Sequence, residues 1–321
     1  MKKSIICLLS IILLAGCSKG TKAPVTTTTP IASDNPVSEP TLKVLSPAGA
    51  PALSQLGAIE KGYDVEITDG PDKLQAELIN ANSDYDVIVA PTNLGVKLAS
   101  LGKSEYKLLE VVTWGNLYLV GPEGTDLENT TIAGFGEQAV TGLVFKSVYP
   151  ELYDKVNWGY GSVTEAQAAL LSGEAEVAIL AEPAATAAIA KAKEKNKELT
   201  ILSNLQELWG EGNGYPQAGI FVKSSVYEEN KDAVNAYITS VEDFISQVNN
   251  DESKEVLTNA IDSIGAENLS VPNSKIIAKV WDRLNIHPTK ASECEDDIAN
   301  FLKLFDVKAV SYTHLTLPTI Y

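Results

Sequence analysis

The sequence predicts an α/β protein of two lobes, each a doubly wound sheet flanked by helices. The main observation is that short apolar strands alternate with helices of regular apolar spacing, first over residues 42–100 and again over 131–195. The second observation is length, since 321 residues leave enough chain for one large domain or two lobes after a leader and a tether.

In the first half of the chain, strands are predicted at residues 42–45, 63–67 and 85–90, and a helix follows each of them. Residues 63–67 alternate between apolar and polar side chains, as a strand with one covered face does. Residues 85–90 contain an unbroken apolar run, which is typical of a parallel strand covered on both faces.

The same architecture restarts after two strand-like runs between residues 111 and 120. Ser162 and Glu165 have the spacing of a capping box, and Gly173 can end that helix in a left-handed conformation. The further strands of this half are predicted at residues 131–133, 156–160 and 176–180.

The last part of the folded chain is predicted to be a loop at residues 206–215, a strand at 218–222 and then helices only. The helices are expected at about residues 229–248, 252–263, 274–284 and 293–305. The first of them carries an apolar stripe at helical spacing, Val241, Phe244, Ile245 and Val248. We expect them to pack back on the first lobe. Lobe I is therefore assigned to residues 42–114 and 218–308, and lobe II to residues 115–217.

The N-terminus carries Lys2 and Lys3, an apolar run over residues 5–14, and then Leu13-Leu14-Ala15-Gly16-Cys17. This pattern resembles the lipobox of bacterial lipoproteins, which implies removal of residues 1–16 and lipidation of Cys17. Residues 17–41 are rich in Thr and Pro and are predicted to form a disordered tether. The expected location is extracytoplasmic, with anchoring to the bacterial cell membrane; the alternative is an ordinary secretory signal with a chance cysteine.

The last residues, 309–321, depart abruptly from the acidic helical pattern before them. They resemble the peptide produced when a sequencing-library adapter is translated at the end of a contig. We interpret this tail as non-native, with the true C-terminus missing, so His314 carries no functional weight.

Composition argues against several classes of function. The formal net charge of −17 repels phosphate backbones, so nucleic acid is not an expected partner. Cys294 has no partner once Cys7 leaves with the signal and Cys17 carries lipid, so neither a disulfide nor a cysteine-based zinc site is expected. Few imidazole and thiol groups remain for catalysis, and the prediction is a non-enzyme without cofactor or metal.

Several segments, taken in order behind the lipobox, resemble one family. They are the loop at residues 46–51, the segment Asp86-Val87-Ile88-Val89-Ala90-Pro91-Thr92-Asn93, the turn at 134–138, and the pattern from Leu170 to Leu180 followed by Glu182-Pro183. The chain resembles the solute-binding lipoproteins of ABC importers with the type II periplasmic-binding-protein fold, in particular the nitrate, taurine and alkanesulfonate group.

The resemblance implies a cleft between two lobes joined by crossings, here near residues 113–117 and 215–220. It also implies a monomeric receptor that serves separate permease and ATPase chains. Ligands of open α/β sheets collect beyond the carboxyl ends of strands, where helices begin. The predicted ligand-binding residues are Ser46, Ala48, Gly49, Ala50, Thr92, Asn93, Asn116, Gly136, Glu137, Gln138, Glu182, Trp209 and Tyr215.

The sign of the ligand stays open at this stage. The strand-to-helix loops contain Glu137 and Glu182 but neither arginine nor lysine, which slightly favours a neutral or cationic heterocycle over a sulfonate or carboxylate. Ser46, Thr92 and Asn93 are equally consistent with helix capping alone. Two other functions compete with capture for transport: an enzyme on the same fold, of the pyrimidine-precursor type, and a surface adhesin or sensor lipoprotein.

Overall fold

The computed structural model of the protein describes residues 42–210 and 214–307. The predictions for the signal peptide at 1–16, for Cys17 and the tether to residue 41, and for the tail at 309–321 lie outside the described residues. No helix in the part of the chain that the structure describes is long and apolar enough to cross a membrane.

Within the described ranges, eleven strands form one six-stranded and one five-stranded sheet. In chain order they are β1 Lys43–Pro47, β2 Asp64–Thr68, β3 Val87–Pro91, β4 Tyr106–Thr113, β5 Leu117–Gly121, β6 Ile132–Phe135, β7 Val156–Tyr160, β8 Val177–Ala181, β9 Thr200–Asn204, β10 Ala218–Lys223 and β11 Ile286–Lys290. The six-stranded sheet has the order β11-β4-β10-β3-β1-β2, and the five-stranded sheet has the order β7-β6-β8-β5-β9.

Both sheets are mixed. In the six-stranded sheet β1, β2 and β3 are parallel, whereas β10 is antiparallel to its neighbours β3 and β4. In the five-stranded sheet β6 is parallel to β7 and β8, whereas β5 is antiparallel to β8 and β9. We call the six-stranded sheet with its helices lobe I and the five-stranded sheet with its helices lobe II.

Helices flank both sheets, which confirms the predicted fold class. They are α1 Ala50–Ser54, α2 Leu56–Glu60, α3 Pro71–Ile79, α4 Thr92–Ser100, α5 Val140–Val148, α6 Val163–Ser172, α7 Ala184–Glu194, α8 Leu205–Leu208, α9 Ser224–Glu229, α10 Lys231–Asn250, α11 Glu255–Ile264, α12 Ser274–Val280 and α13 Glu295–Lys303. Ser162 caps α6 through a hydrogen bond from the Glu165 amide, and Gly173 ends that helix with φ 85°, both as the sequence predicts.

The longest helix, α10, covers one face of the six-stranded sheet. Its predicted apolar stripe, Val241, Phe244, Ile245 and Val248, is buried in the core on that face. The helical period therefore located the buried side of this helix correctly. Trp281 also lies in this core.

Three segments differ from the sequence-based expectations. Residues 286–290, expected within a helical region, form β11, which is paired with β4 alone in the sheet order; Pro288 is tolerated there because an edge strand leaves one side unpaired. The predicted loop at 206–215 begins with α8, which Asn204 caps. The first helix is broken at Gln55 into α1 and α2.

The C-terminal helix α13 packs against both lobes. Ile298 and Leu302 are buried in a core of lobe I, whereas Phe301 is buried in a core of lobe II. The helix α13 therefore packs on lobe I, as the sequence analysis expects, and in addition contacts lobe II. Its apolar residues occupy two neighbouring faces, which the period of the sequence does not distinguish from one broad face.

Candidate functional site

The carboxyl ends of the strands in the two sheets face each other across a short connection. The chain leaves lobe I at Thr113 and enters lobe II at Leu117, so three residues make the first crossing. Leu117 pairs with Ala181 at the carboxyl end of β8, and Thr113 lies at the same edge of its sheet as Pro91. Loops that follow the strands of both lobes therefore meet at this crossing.

The lobe I side of this junction contains six of the predicted residues. β1 and β3 are adjacent and parallel, so the loop after β1 and the start of α4 lie beside each other. Gly49 has φ 82°, and a Cβ at this position would meet no atom of the described residues within 4 Å, so its backbone is open to an approaching group. The others on this side are Ser46, Ala48, Ala50, Thr92 and Asn93.

Three polar side-chain atoms at this edge are buried without a hydrogen-bond partner among the described residues. They are Oγ1 of Thr92, Oδ1 of Asn93 and Oγ1 of Thr113. Thr92 is fully buried and Thr113 is 1% exposed. A buried polar atom without a partner costs free energy, so such atoms indicate a place for a ligand or a bound water. Thr113 was missed by the sequence analysis because a threonine that ends a strand carries no distinctive motif.

On the lobe II side, β6 and β8 are adjacent and parallel, which brings the turn after β6 close to the end of β8. Gly136 has φ 65°, and its carbonyl accepts hydrogen bonds from the amides of Ala139 and Gly142. Glu137 and Gln138 are exposed to solvent. The backbone of this turn therefore closes on itself ahead of α5, and its two polar side chains point away from the buried core.

Glu182, at the end of β8, is buried with its carboxylate fully paired. Oε1 accepts hydrogen bonds from Nε of Arg283 at 2.7 Å and from Oγ1 of Thr186 at 2.8 Å. Oε2 accepts a hydrogen bond from the Thr186 amide at 3.1 Å. This amide lies in the first turn of α7, where the helix dipole favours a negative charge. Arg283 also donates from Nη2 to Oγ1 of Thr186 at 2.6 Å.

This pairing changes the electrostatic interpretation of the site. Arg283 is the only arginine in the 321-residue chain, and it lies 101 residues from Glu182 in sequence. The slight preference for a neutral or cationic heterocycle counted two carboxylates, those of Glu137 and Glu182. Arg283 compensates the charge of Glu182, so only Glu137 still supports that preference. The single arginine was the available sequence signal, but its position in a helical region concealed it.

The first crossing is held by hydrogen bonds on both sides. Asn116 exchanges two bonds with Glu182: its carbonyl accepts from the Glu182 amide at 3.1 Å, and its Nδ2 donates to the Glu182 carbonyl at 3.2 Å. The Trp114 carbonyl accepts from the Tyr215 amide at 3.2 Å, so the crossing contacts the chain that returns to lobe I. Asn116 thus has a defined structural partner in addition to its predicted role.

The rings of Trp209 and Tyr215 are packed against the C-terminal helix. Tyr215 stacks on Phe301 with centroids 5.6 Å apart, and Trp209 meets both rings edge-on. The Tyr215 ring also lies against Gly115, where an added Cβ would be 2.4 Å from its Cζ. Stacking of these two rings on a flat ligand therefore requires the aromatic cluster to open. Trp114 stacks on His287 at 5.2 Å.

Trp209 and Gly210 also line an open groove of about 900 Å³ beside the first turn of α13. The groove is acidic because Glu293, Glu295, Asp296 and Asp297 border it. No group of three or more His, Cys, Asp or Glu side chains within the described ranges has the arrangement of a metal site.

Comparison with known proteins supports the fold. No family model matches the chain, and no curated protein is similar to it in sequence. Three similar solved structures are an ABC transporter protein of Parabacteroides distasonis, the periplasmic aliphatic sulphonate binding protein SsuA of Escherichia coli, and a Candida albicans gene product with the generic periplasmic binding protein fold.

The TM-scores of these three structures are 0.66, 0.60 and 0.50, and their sequence identities are 21%, 11% and 16%. The aligned regions cover 87%, 83% and 85% of this chain and 96%, 86% and 92% of the three other chains. Coverage of this extent includes both lobes rather than one α/β half. The chain therefore has the periplasmic binding protein fold, in agreement with the resemblance in its sequence, and solute-binding proteins of ABC transporters are among its structural neighbours.

Proposed function

We propose that this protein is the extracytoplasmic solute-binding lipoprotein of an ABC importer. It captures a small solute by closing its two lobes and delivers the solute to a membrane permease. The observation that carries the proposal is the pair of facing sheet edges, where Thr92 and Thr113 bury hydroxyl groups that have no partner among the described residues. The transport proteins among its structural neighbours support the same function.

The solute is placed between the loops that follow β1 and β3 on lobe I and those that follow β6 and β8 on lobe II. On lobe I the contacts come from the open backbone at Gly49 and from the side chains of Ser46, Thr92 and Asn93. On lobe II they come from the turn at Gly136. Lobe I then comprises residues 42–114 and 218–308, and lobe II residues 115–217, with lipid on Cys17 holding the receptor at the membrane.

Calorimetric titration of the purified chain against a panel of solutes tests capture. The panel includes aliphatic sulphonates, because one structural neighbour binds them, together with neutral and cationic heterocycles. Saturable binding to the wild type, reduced about tenfold or more in Thr92→Val, is the expected result. Thr131→Val is the matched control. This exposed threonine precedes β6, so it lies at the edge of the five-stranded sheet that is remote from the candidate site.

Three outcomes would contradict the proposal. Binding that Thr92→Val and Thr131→Val weaken equally places the solute elsewhere. Chemical conversion of a bound solute, followed by mass spectrometry, indicates an enzyme on this fold. Absence of binding across the panel favours an adhesin or sensor. The same mass spectrometer tests the anchor, since an N-terminus that begins anywhere other than a lipidated Cys17 contradicts it.

A further inference from the structure

A segment of lobe I that follows α12 lies against the first crossing. Trp281 and Leu284 are buried in the lobe I core, which fixes the backbone on either side of Arg283. Two residues later, Asn285 exchanges hydrogen bonds with Trp114: the Trp114 amide donates to the Asn285 carbonyl at 2.9 Å, and Nδ2 of Asn285 donates to the Trp114 carbonyl at 2.7 Å. Residues 283–287 are thus a third segment of chain at the junction of the lobes, beside the two covalent crossings.

From this anchored position, Arg283 reaches lobe II through both its side chain and its backbone. Its guanidinium contacts Glu182 at 2.7 Å and Thr186 at 2.6 Å. Its carbonyl accepts a hydrogen bond from the hydroxyl of Tyr118, in β5, at 2.8 Å. Contacts to three segments of lobe II, the end of β8, the start of α7 and β5, therefore converge on one residue of lobe I.

The chemistry of these contacts depends on an arginine. The side chain of Glu182 is fully buried, whereas that of Arg283 is 38% exposed. A buried carboxylate needs a counter-charge, and removal of only one partner leaves an uncompensated charge. The planar guanidinium donates to two acceptors at once, which the single ammonium of lysine does not reproduce in the same geometry.

We infer that Arg283 is a positioning residue that couples lobe II to lobe I beside the hinge and limits how far the lobes separate before a solute arrives. The relevance of this coupling to capture rests on the proposed function. The coupling itself is a property of the solute-free chain and is measured without any ligand.

Double electron–electron resonance on the full chain tests the coupling. Nitroxide labels attached through a ketone-bearing amino acid at position 61 of lobe I and position 194 of lobe II report the distance between lobes; both positions are exposed. Without ligand, we expect the distance distribution to broaden and move to longer distances in Arg283→Gln and Glu182→Gln. Arg283→Lys keeps the charge but loses the double contact, so we expect an intermediate distribution.

Asp282→Asn is the matched control. Asp282 lies in the same helical turn as Arg283, and its side chain is 85% exposed. The substitution removes a 3.7 Å ion pair with Lys254 that lies within lobe I. This variant is expected to keep the wild-type distribution. Circular dichroism confirms folding of each variant, and the double variant Glu182→Gln/Arg283→Gln removes the unpaired charge in case a single variant fails to fold.

Distributions of the double variant and of every folded single variant that match the wild type would overturn the inference. An equal change in Asp282→Asn would also overturn the inference. It would show that any substitution in this helical turn alters the distance between the lobes, whether or not Arg283 is involved. A changed distribution in a protein that binds no solute would retain the coupling and refute only the proposed function.

Discussion

The rings of Tyr215 and Phe301 stack with centroids 5.6 Å apart and planes 17° apart. This contact joins the chain that returns to lobe I with the helix α13, which is itself buried against both lobes. Trp209 and Phe305 extend the cluster around Phe301. The cluster is an apolar counterpart, on the second crossing, to the polar contacts that Arg283 makes beside the first.

Replacement of Phe301 by alanine should therefore destabilise the protein strongly. Loss of a fully buried phenylalanine removes transfer free energy and leaves a cavity, so we expect the free energy of unfolding to fall by about 3–5 kcal/mol. Urea denaturation followed by tryptophan fluorescence measures this change. Leu101→Ala, at a position 58% exposed, should stay within about 0.5 kcal/mol of wild type. Equal effects of the two variants would show that Phe301 is not a core residue.

A methyl group at position 115 should destabilise the protein by colliding with Tyr215, and a comparison with Gly124 separates this collision from backbone strain. Gly115 has φ 83°, and a Cβ there would lie 2.4 Å from Cζ of Tyr215. Gly124 has a similar φ of 78°, and a Cβ there would have no atom of the described part of the chain within 4 Å, so Gly124→Ala carries the backbone strain alone. We expect Gly115→Ala to cost about 1–3 kcal/mol more than Gly124→Ala in chemical denaturation. Equal costs would mean that the Tyr215 ring moves aside freely.

A buried carboxyl should make stability fall as pH rises. Burial and the neighbouring Glu242 on α10 raise the pKa of Glu110 to about 8, while Lys290 lowers it and Glu293 raises it slightly. Glu110 is 2% exposed. Its folded-state pKa is above that of an unfolded glutamate, so its contribution is complete below the unfolded pKa and is lost as pH rises through the folded value.

The unfolding free energy should therefore decline between about pH 4.5 and 8, by at most about 1.4 kcal/mol per pH unit from this group. Glu110→Gln removes the ionisation and should flatten the decline, with the largest gain in stability near pH 8. Denaturation curves at several pH values provide the measurement. Parallel pH profiles for the wild type and this variant would show that Glu110 does not control the slope.

The buried hydroxyl of Thr113 should matter for solute binding and not for stability. Valine has nearly the same shape, and the hydroxyl has no partner among the described residues, so Thr113→Val should leave stability unchanged or raise it by about 1 kcal/mol. The same variant should weaken solute affinity about tenfold in calorimetric titration. A loss of stability with unchanged affinity would assign the hydroxyl to a structural water instead.

Local patterns accounted for much of the fold. The capping box at Ser162, the left-handed Gly173 and the apolar stripe of α10 were each identified because near neighbours in sequence are sufficient to define them. The edge strand β11 escaped prediction because its pairing partner is more than 170 residues away and its own sequence contains a proline. At the candidate site, the positions of the loops were predictable from the sequence. The compensation of the Glu182 charge by Arg283 was not, because the two residues are 101 positions apart.

By itself, the sequence determined the alternation of strands and helices, the position of the loops at strand ends and the acidic surface, because these depend on local periodicity and composition. Only the tertiary structure decided which distant groups meet. It brought Arg283 to Glu182 and Phe301 to Tyr215, and it buried the hydroxyls of Thr92 and Thr113 without a partner among the described residues. Such pairings follow from how the two lobes pack, and packing depends on shape and burial across the whole chain rather than on neighbouring residues.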